Sequence, residues 1–194
     1  MIHPERPRPL AMLKGTQNKM TNVGLKRGTV RLVPHHPEWD ALFQAEKAKL
    51  LEALGDLVLD IQHVGSTAIP TISAKPIIDI AVLVKSIEEV SKRVGNIETL
   101  GYQKRQEDRP DRIFFTKGPE EKRIVYLHIG DASTNYVQDM IAFRDYLIEN
   151  PGQAKKYMEL KSELAEKFAD DRDTYTPAKE SFVQEVLKKA NKPI

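Results

Sequence analysis

Residues 77–84 read Ile-Ile-Asp-Ile-Ala-Val-Leu-Val, an apolar run broken once, by Asp79. A strand with one solvated face alternates apolar and polar residues, because successive side chains point to opposite sides. This run does not alternate, so it requires a strand covered on both faces. Asp79 is then set in apolar surroundings, where a carboxylate is costly unless it is paired, hydrogen-bonded or metal-bound.

The flanking pattern supplies the rest of the architecture. Trp39, Leu42, Phe43, Leu50 and Leu54 recur at helical spacing and predict a helix over 38–54, entered at Pro37 and ended at Gly55. Trp39 and Phe43, four apart, belong to the core. Strands are expected at 29–33, closed by Pro34, and at 57–64, followed by a loop of small residues and prolines over 65–76. Ser86 and Glu89 form a reciprocal cap for a helix over 87–100 that Gly101 closes. Three further strands fall at 102–106, 113–117 and 123–129, with a turn at 117–120. Helices follow at 136–149, 154–168 and 177–189. The second carries Tyr157, Leu160, Leu164 and Phe168 on its apolar stripe, with the charged stretch 161–167 as a solvated face. A mixed front half and a helical C-terminal part make an α+β chain.

The 194 residues suffice for one domain whose core needs no staples. Residues 1–22, rich in proline and basic side chains, are expected to be a flexible tail, leaving 23–194 as the domain. The absence of cysteine excludes disulfides, thiolate metal sites and cysteine nucleophiles, and agrees with a cytoplasmic location. No apolar run reaches membrane-helix length, and none near the N-terminus suits a signal peptide. A net charge of +2 gives no warrant for a general nucleic-acid or membrane surface.

The chemistry concentrates in two stretches, His63-Val64-Gly65-Ser66-Thr67 and Lys75-Pro76-Ile77-Ile78-Asp79. Gly65 lets a ligand approach the backbone closely. Ser66 and Thr67 offer hydroxyls and N–H groups, and a helix starting there would present an anion site. Lys75 can neutralise a phosphate as a point charge, or sit solvated in its loop. A phosphate on the loop and a Mg²⁺ on Asp79 is the arrangement phosphoryl or nucleotidyl transfer needs. His63 either packs in the sheet or lines the site. His128 lies on the strand face opposite Leu127, as a site group or a satisfied core histidine. His35 and His36, adjacent in an extended segment, face opposite ways and make a poor metal pair.

Together, the run HVGSTAIPTISAKPIIDIAV at 63–82 resembles the signature of the GrpB family. The opening VRLVPHHPEWDALFQAEKAKL at 30–50 is similar to the family's entry, and YLHIGD at 126–131 and FRDYL at 143–147 fit further on. So do Tyr157 with Leu160 and Lys161, and Tyr175, Lys179 and Phe182. The resemblance implies a nucleotidyltransferase-like mixed sheet flanked by helices, with the site at the Gly-Ser loop and the next strand. On it, Asp79 and His128 are the catalytic candidates. His63, Gly65, Ser66, Thr67, Lys75, Arg144, Tyr175 and Lys179 are the phosphate- or substrate-binding ones, and Asp79 with Glu46 would hold Mg²⁺. Nucleotidyltransferases generally carry a second carboxylate two residues after the first. That place is Ala81 here, and the later third acid falls near His128, with Asp131 just past the strand end.

Three functions follow. The first is a metal-dependent transferase acting on a nucleotide or another phosphate-bearing small molecule. The second is an inactive ligand-binding or regulatory module, linked to coenzyme A metabolism by relatives fused to dephospho-CoA kinase. The third is an interaction protein whose helices over 136–189 expose an apolar patch. A second carboxylate about 4 Å from Asp79 would favour the first.

Overall fold

The computed structural model describes residues 22–106, 109 and 111–191. The expected tail lies outside these residues except for Asn22. Helix α1 (Glu38–Leu54) leads into strand β1 (Val58–Val64), the Gly-Ser loop and β2 (Ile78–Val84). Then come α2 (Ile87–Ser91), α3 (Val94–Thr99), β3 (Tyr102–Arg105), β4 (Ile113–Lys117) and β5 (Val125–Asp131). The C-terminal part is helical: α4 (Tyr136–Glu149), α5 (Pro151–Lys167), α6 (Arg172–Tyr175) and α7 (Glu180–Ala190).

The strands form one mixed sheet in the order β1-β2-β5-β4-β3. The β2–β5 pair at its centre is parallel, and every other neighbouring pair is antiparallel. In the register, Asp79 stands beside Val64 and Tyr126, Ala81 beside Gln62 and His128, and His128 beside Phe114. These side chains therefore share one face. Ile80, His63, Leu127 and Phe115 share the other. That second face carries the main core, where Ile78, Ile80, Val82, Leu127, Ile129 and Phe115 pack with Trp39, Phe43, Leu50 and Leu54 of α1. On the first face α4 seals only the β1–β2 end, where Val137 meets Val64 and Ala81. The surface around Asp79, Tyr126 and Phe114 is left for a cavity roofed by α5 and α6. The apolar run of β2 is thus covered on both sides, as its composition requires.

Several expected elements take a different form. No strand forms over 29–33. Val33 makes an isolated two-bond bridge with Ala74, each N–H donating across at 2.9 Å. Pro34 and Pro76, lacking N–H groups, keep that bridge from growing into a ladder. The helix expected over 87–100 breaks into α2 and α3 at Arg93, which turns out of helical geometry. Its guanidinium donates to the Leu54 carbonyl at the end of α1 (2.8 Å). The Ser86 cap forms, accepting from the Glu89 N–H at 3.3 Å. The buried stripe of α5 runs through Ala154, Tyr157 and Lys161 rather than through Leu160, so Lys161 is not on a solvated face. Among the described residues, the exposed large apolar side chains are Leu51, Leu59 and Ile148. The C-terminal helices contribute only Ile148 to these. No described helix is long and apolar enough to cross a membrane.

Glu46, expected as a metal ligand, lies on the α1 side of the sheet. Its carboxylate accepts from Lys117 Nζ (2.7 Å), Tyr102 Oη (2.8 Å) and Lys49 Nζ (2.9 Å). Burial alone would push its pKa up, but these three partners hold it below the ordinary value. It is an internal ion pair joining α1 to β3 and β4, and its oxygens are already engaged. Glu46→Ala would leave the Lys117 ammonium and the Tyr102 hydroxyl buried without an acceptor. It is expected to lower unfolding stability by about 3 kcal/mol, with Glu46→Gln costing less, as measured by urea denaturation.

Candidate anion-binding site

At its end β1 delivers the chain to Gly65, whose φ of +69° is a left-handed conformation that glycine adopts without strain. A Cβ there would lie 2.5 Å from Asp79 Oδ2, so only a glycine admits the carboxylate this close to the loop. Ser66, Thr67 and Ala68 form a single 3-10 turn, too short to present a helix dipole. Arg144 of α4 fixes the approach to the loop, donating to the His63 carbonyl (2.7 Å) and Gln62 Oε1 (3.0 Å) and pairing with Asp145 (2.7 Å).

Asp79 points from the sheet into a cavity of about 320 Å³. Its Oδ1 lies 3.2 Å from His128 Nε2, and His128 Nδ1 lies 2.7 Å from the Tyr136 hydroxyl, which also accepts from Arg112 Nη1 at 2.7 Å. The guanidinium can only donate, and in the tautomer that continues this chain the tyrosine gives its own proton to Nδ1. His128 then gives its Nε2–H to Asp79. The chain Arg112–Tyr136–His128 thereby aims the Asp79 carboxylate.

The remaining wall is cationic. Lys75, Lys161, Arg172 and Lys179 line the cavity, against one carboxylate among the described residues, Asp79. Among the described residues, none of the three lysines has a carboxylate within ion-pair distance. Tyrosine rings stand in instead, Tyr175 lying 4.0 Å from Lys179 Nζ and 5.1 Å from Lys75 Nζ, and Tyr157 lying 5.0 Å from Lys161 Nζ. Lys161 is 2% exposed and donates to the Ser73 carbonyl. Burial, then the neighbouring Lys179, pushes it down to about 7. Burial also lowers Lys179 to about 8, Asp79 opposing the shift and Arg172 adding to it. Lys75 is held well below the usual lysine range by burial, then by Arg172 and Lys179. Burial pushes Tyr157 up to about 12 against the opposing effect of Ser66, and burial raises Tyr175 as well. Cations packed together in low dielectric without counter-charges destabilise one another, and an entering anion relieves them.

Of the residues singled out from sequence, Asp79, His128, Gly65, Ser66, Thr67, Lys75, Tyr175 and Lys179 line this cavity together. His63, Arg144 and Glu46 do not. His63 stacks on Phe43 at 5.1 Å on the opposite face and bonds Thr67 Oγ1 at 3.0 Å. Burial lowers it to about 4, so it is neutral near pH 7. Asp131 is occupied too, accepting from the N–H groups of Ile87 (3.2 Å) and Ser133 (3.0 Å). His35 sits edge-on against Trp39, while His36 Nδ1 accepts from the Glu38 N–H, so the two do not converge. Among the described residues, no group of three His, Asp or Glu side chains is placed to hold a metal ion.

Lys161, Arg172, Tyr157, Arg112, Phe114 and Tyr126 also line the cavity without having been anticipated as site residues. A signal existed for Lys161, four residues after Tyr157 on the buried stripe of its helix. Phe114 and Tyr126 become legible once strand register sets them on the Asp79 face. Arg172 lies in a four-residue helix with no periodic signature.

The family described as GrpB protein matches residues 29–189, and the chain belongs to it. It is 39% identical over 170 residues to the glutamate-rich protein GrpB of Alkalihalophilus pseudofirmus, covering 85% of this chain and 98% of that one. The crystal structure of the conserved protein GrpB from Enterococcus faecalis superimposes with a TM-score of 0.76 at 35% identity, over 82% of this chain and 96% of that one. A more distant match, 28% identical, covers 86% of this chain and 47% of a dephospho-CoA kinase from Mycolicibacterium paratuberculosis.

The unpaired lysines have a measurable consequence. Lys161 with its pKa at about 7 carries fewer protons folded than unfolded between that pH and the ordinary lysine value. Its burden on stability is therefore full below pH 7 and fades as pH rises toward the unfolded value. Lys161→Met should raise the thermal midpoint of the ligand-free protein by a few degrees, about 1 kcal/mol. The gap to wild type should be widest near pH 7 and narrowest near pH 10.

Proposed function

We propose that this protein binds a nucleotide or another phosphate-bearing small molecule in the Asp79 cavity. The observation that carries this reading is the convergence of Lys75, Lys161, Arg172 and Lys179 on one concave site with, among the described residues, a single opposing carboxylate. Phosphates are the groups that several cations at close quarters recognise. The volume, about 320 Å³, is at the small end of the range for small-molecule sites and admits a phosphate chain with part of its sugar. The Gly65–Ser66 loop lies against one end of such a chain, and the Phe114 and Tyr126 rings offer apolar walls for the rest.

A resident two-metal centre does not fit these side chains. Such a centre needs several carboxylates, whereas Ala81 stands where a second would be and His128 near where a third would be. The cationic wall further disfavours a bare divalent ion. A Mg²⁺ arriving already bound to nucleotide phosphates would meet Asp79 alone. Asp79, aimed by His128, is also the one carboxylate in the cavity able to accept a proton from an attacking hydroxyl. The substitutions around Asp79 favour ligand binding over efficient two-metal nucleotidyl transfer.

The test is equilibrium binding of ATP, GTP, CTP and UTP, each with and without Mg²⁺, to wild type, Lys179→Met and Asp79→Asn. At least one nucleotide should bind wild type in the micromolar range, and Lys179→Met should weaken it tenfold or more, about 1.4 kcal/mol. Without Mg²⁺, Asp79→Asn should bind as well as or better than wild type, since a repulsive charge is gone. The affinity should fall between pH 7 and pH 9, as Lys161 and Lys179, at about 7 and about 8, lose their protons. Failure of wild type to bind any of the four, or inorganic pyrophosphate, would contradict the reading.

A further inference from the structure

Beside the Asp79 cavity lies a second cleft of about 510 Å³, and the two share Phe114, Tyr126, Arg172 and Thr176 as common wall. The second cleft is lined by Arg27, Arg105 and Arg123 in addition to Arg172, with Asp173 as its one lining carboxylate among the described residues. Arg27 and Arg123 lean on Glu120, at 2.9 and 3.4 Å, so that acid is shared between two guanidiniums. Arg123 is 2% exposed and donates to the Gly118 carbonyl, which holds its guanidinium rigidly in the wall. Arg105 gives one N–H to Thr116 Oγ1 at 3.0 Å and has no carboxylate partner among the described residues. Arg172 stands at the junction with its guanidinium 4.6 Å from the centre of the Tyr126 ring, donating to the Tyr126 hydroxyl.

Charge, position and continuity together make this cleft more than a basic surface. Arg105 projects from the edge strand β3 and Arg123 comes from just before β5. Thr116, between them in the sheet, holds the Arg105 side chain on the cavity face. A ligand anchored by phosphates on the lysines of the inner cavity and extended along the sheet crosses the Phe114–Tyr126 step. These two rings lie 5.6 Å apart, tilted by 47°, and offer an angled aromatic surface. Past the step the ligand meets guanidiniums, whose planar forks suit a phosphate monoester.

We infer that the outer cleft is a second anion subsite, and that the ligand is a nucleotide bearing a further phosphate on its ribose in addition to those at its 5′ end. This rests on the inner cavity's being a phosphate site, as proposed above. Arg105 and Arg172 recognise the ribose phosphate, Arg123 fixes the floor of the subsite, and Phe114 and Tyr126 carry the sugar between the two anions.

Titration calorimetry with the 5′-monophosphates and the 3′,5′-bisphosphates of adenosine and uridine tests this on the full chain. For at least one nucleoside the bisphosphate should bind wild type at least tenfold more tightly than the monophosphate. Arg105→Met, a change at a half-buried edge-strand side chain, should bring bisphosphate affinity down to within threefold of the monophosphate's. Lys179→Met should weaken both. Equal affinity of wild type for monophosphate and bisphosphate would overturn the second subsite while leaving the inner site standing. A bisphosphate preference that survives Arg105→Met would overturn its assignment to this cleft. No binding of any of the four would overturn the inner-site reading and this inference with it.

Discussion

Everything distinctive about this molecule follows from placing three lysines and an arginine around a cavity to which the described residues bring one carboxylate. Such a cluster is destabilising by itself, and the surrounding structure has to hold it in place. Tyr157 and Tyr175 give the ammonium groups aromatic faces in place of counter-ions, and the Ser73 carbonyl takes a hydrogen bond from Lys161. The stability that tolerates the cluster comes from the other side of the sheet, where α1 seals a continuous apolar layer and Glu46 neutralises Lys117. The two faces thus divide the work. One buries hydrocarbon and a closed ion pair, and the other stores unbalanced positive charge.

The strand β2 links them. Its even-numbered residues Ile78, Ile80, Val82 and Val84 anchor the core, and Asp79 on the alternate face carries a negative charge into the cavity. Because side chains alternate, the position of Asp79 is as fixed as the core itself. His128 reinforces that fixity from the neighbouring strand, and its own orientation is set by Tyr136 and Arg112. Gly65 completes the arrangement by leaving room for the carboxylate against the loop. What distinguishes this site from a two-metal centre is written in the same strands, in Ala81 and His128.

Local pattern revealed the part of this that depends on local pattern. The apolar run of β2, the helical spacing in α1 and the bounds of α4 at residues 136–149 were all legible, because burial and periodicity are properties of short windows. The Gly-Ser loop, Lys75, Asp79 and His128 were legible as unusual residue types in an apolar setting, helped by the family resemblance. Glu46 was misplaced, while His63 took the packing alternative, stacked on Phe43. A polar residue in an amphipathic element can be buried against partners from distant strands, here Lys117 and Tyr102 for Glu46, and sequence spacing does not show those partners. Arg172 and Phe114 depend on which strand neighbours which and on how a four-residue helix folds over the sheet, so they emerge only in three dimensions.

The most direct test of an unbalanced cationic cavity is the proton count on ligand binding. Calorimetric titration of ATP into wild-type protein at pH 8, repeated in buffers of different ionisation enthalpy, measures it. At that pH the phosphates of the free nucleotide are already ionised, while Lys161 and Lys179, at about 7 and about 8, are largely or half deprotonated. An entering anion restores their charge. The cavity described here predicts uptake of about one proton per nucleotide bound. Binding with no exchange, or with proton release, would contradict it.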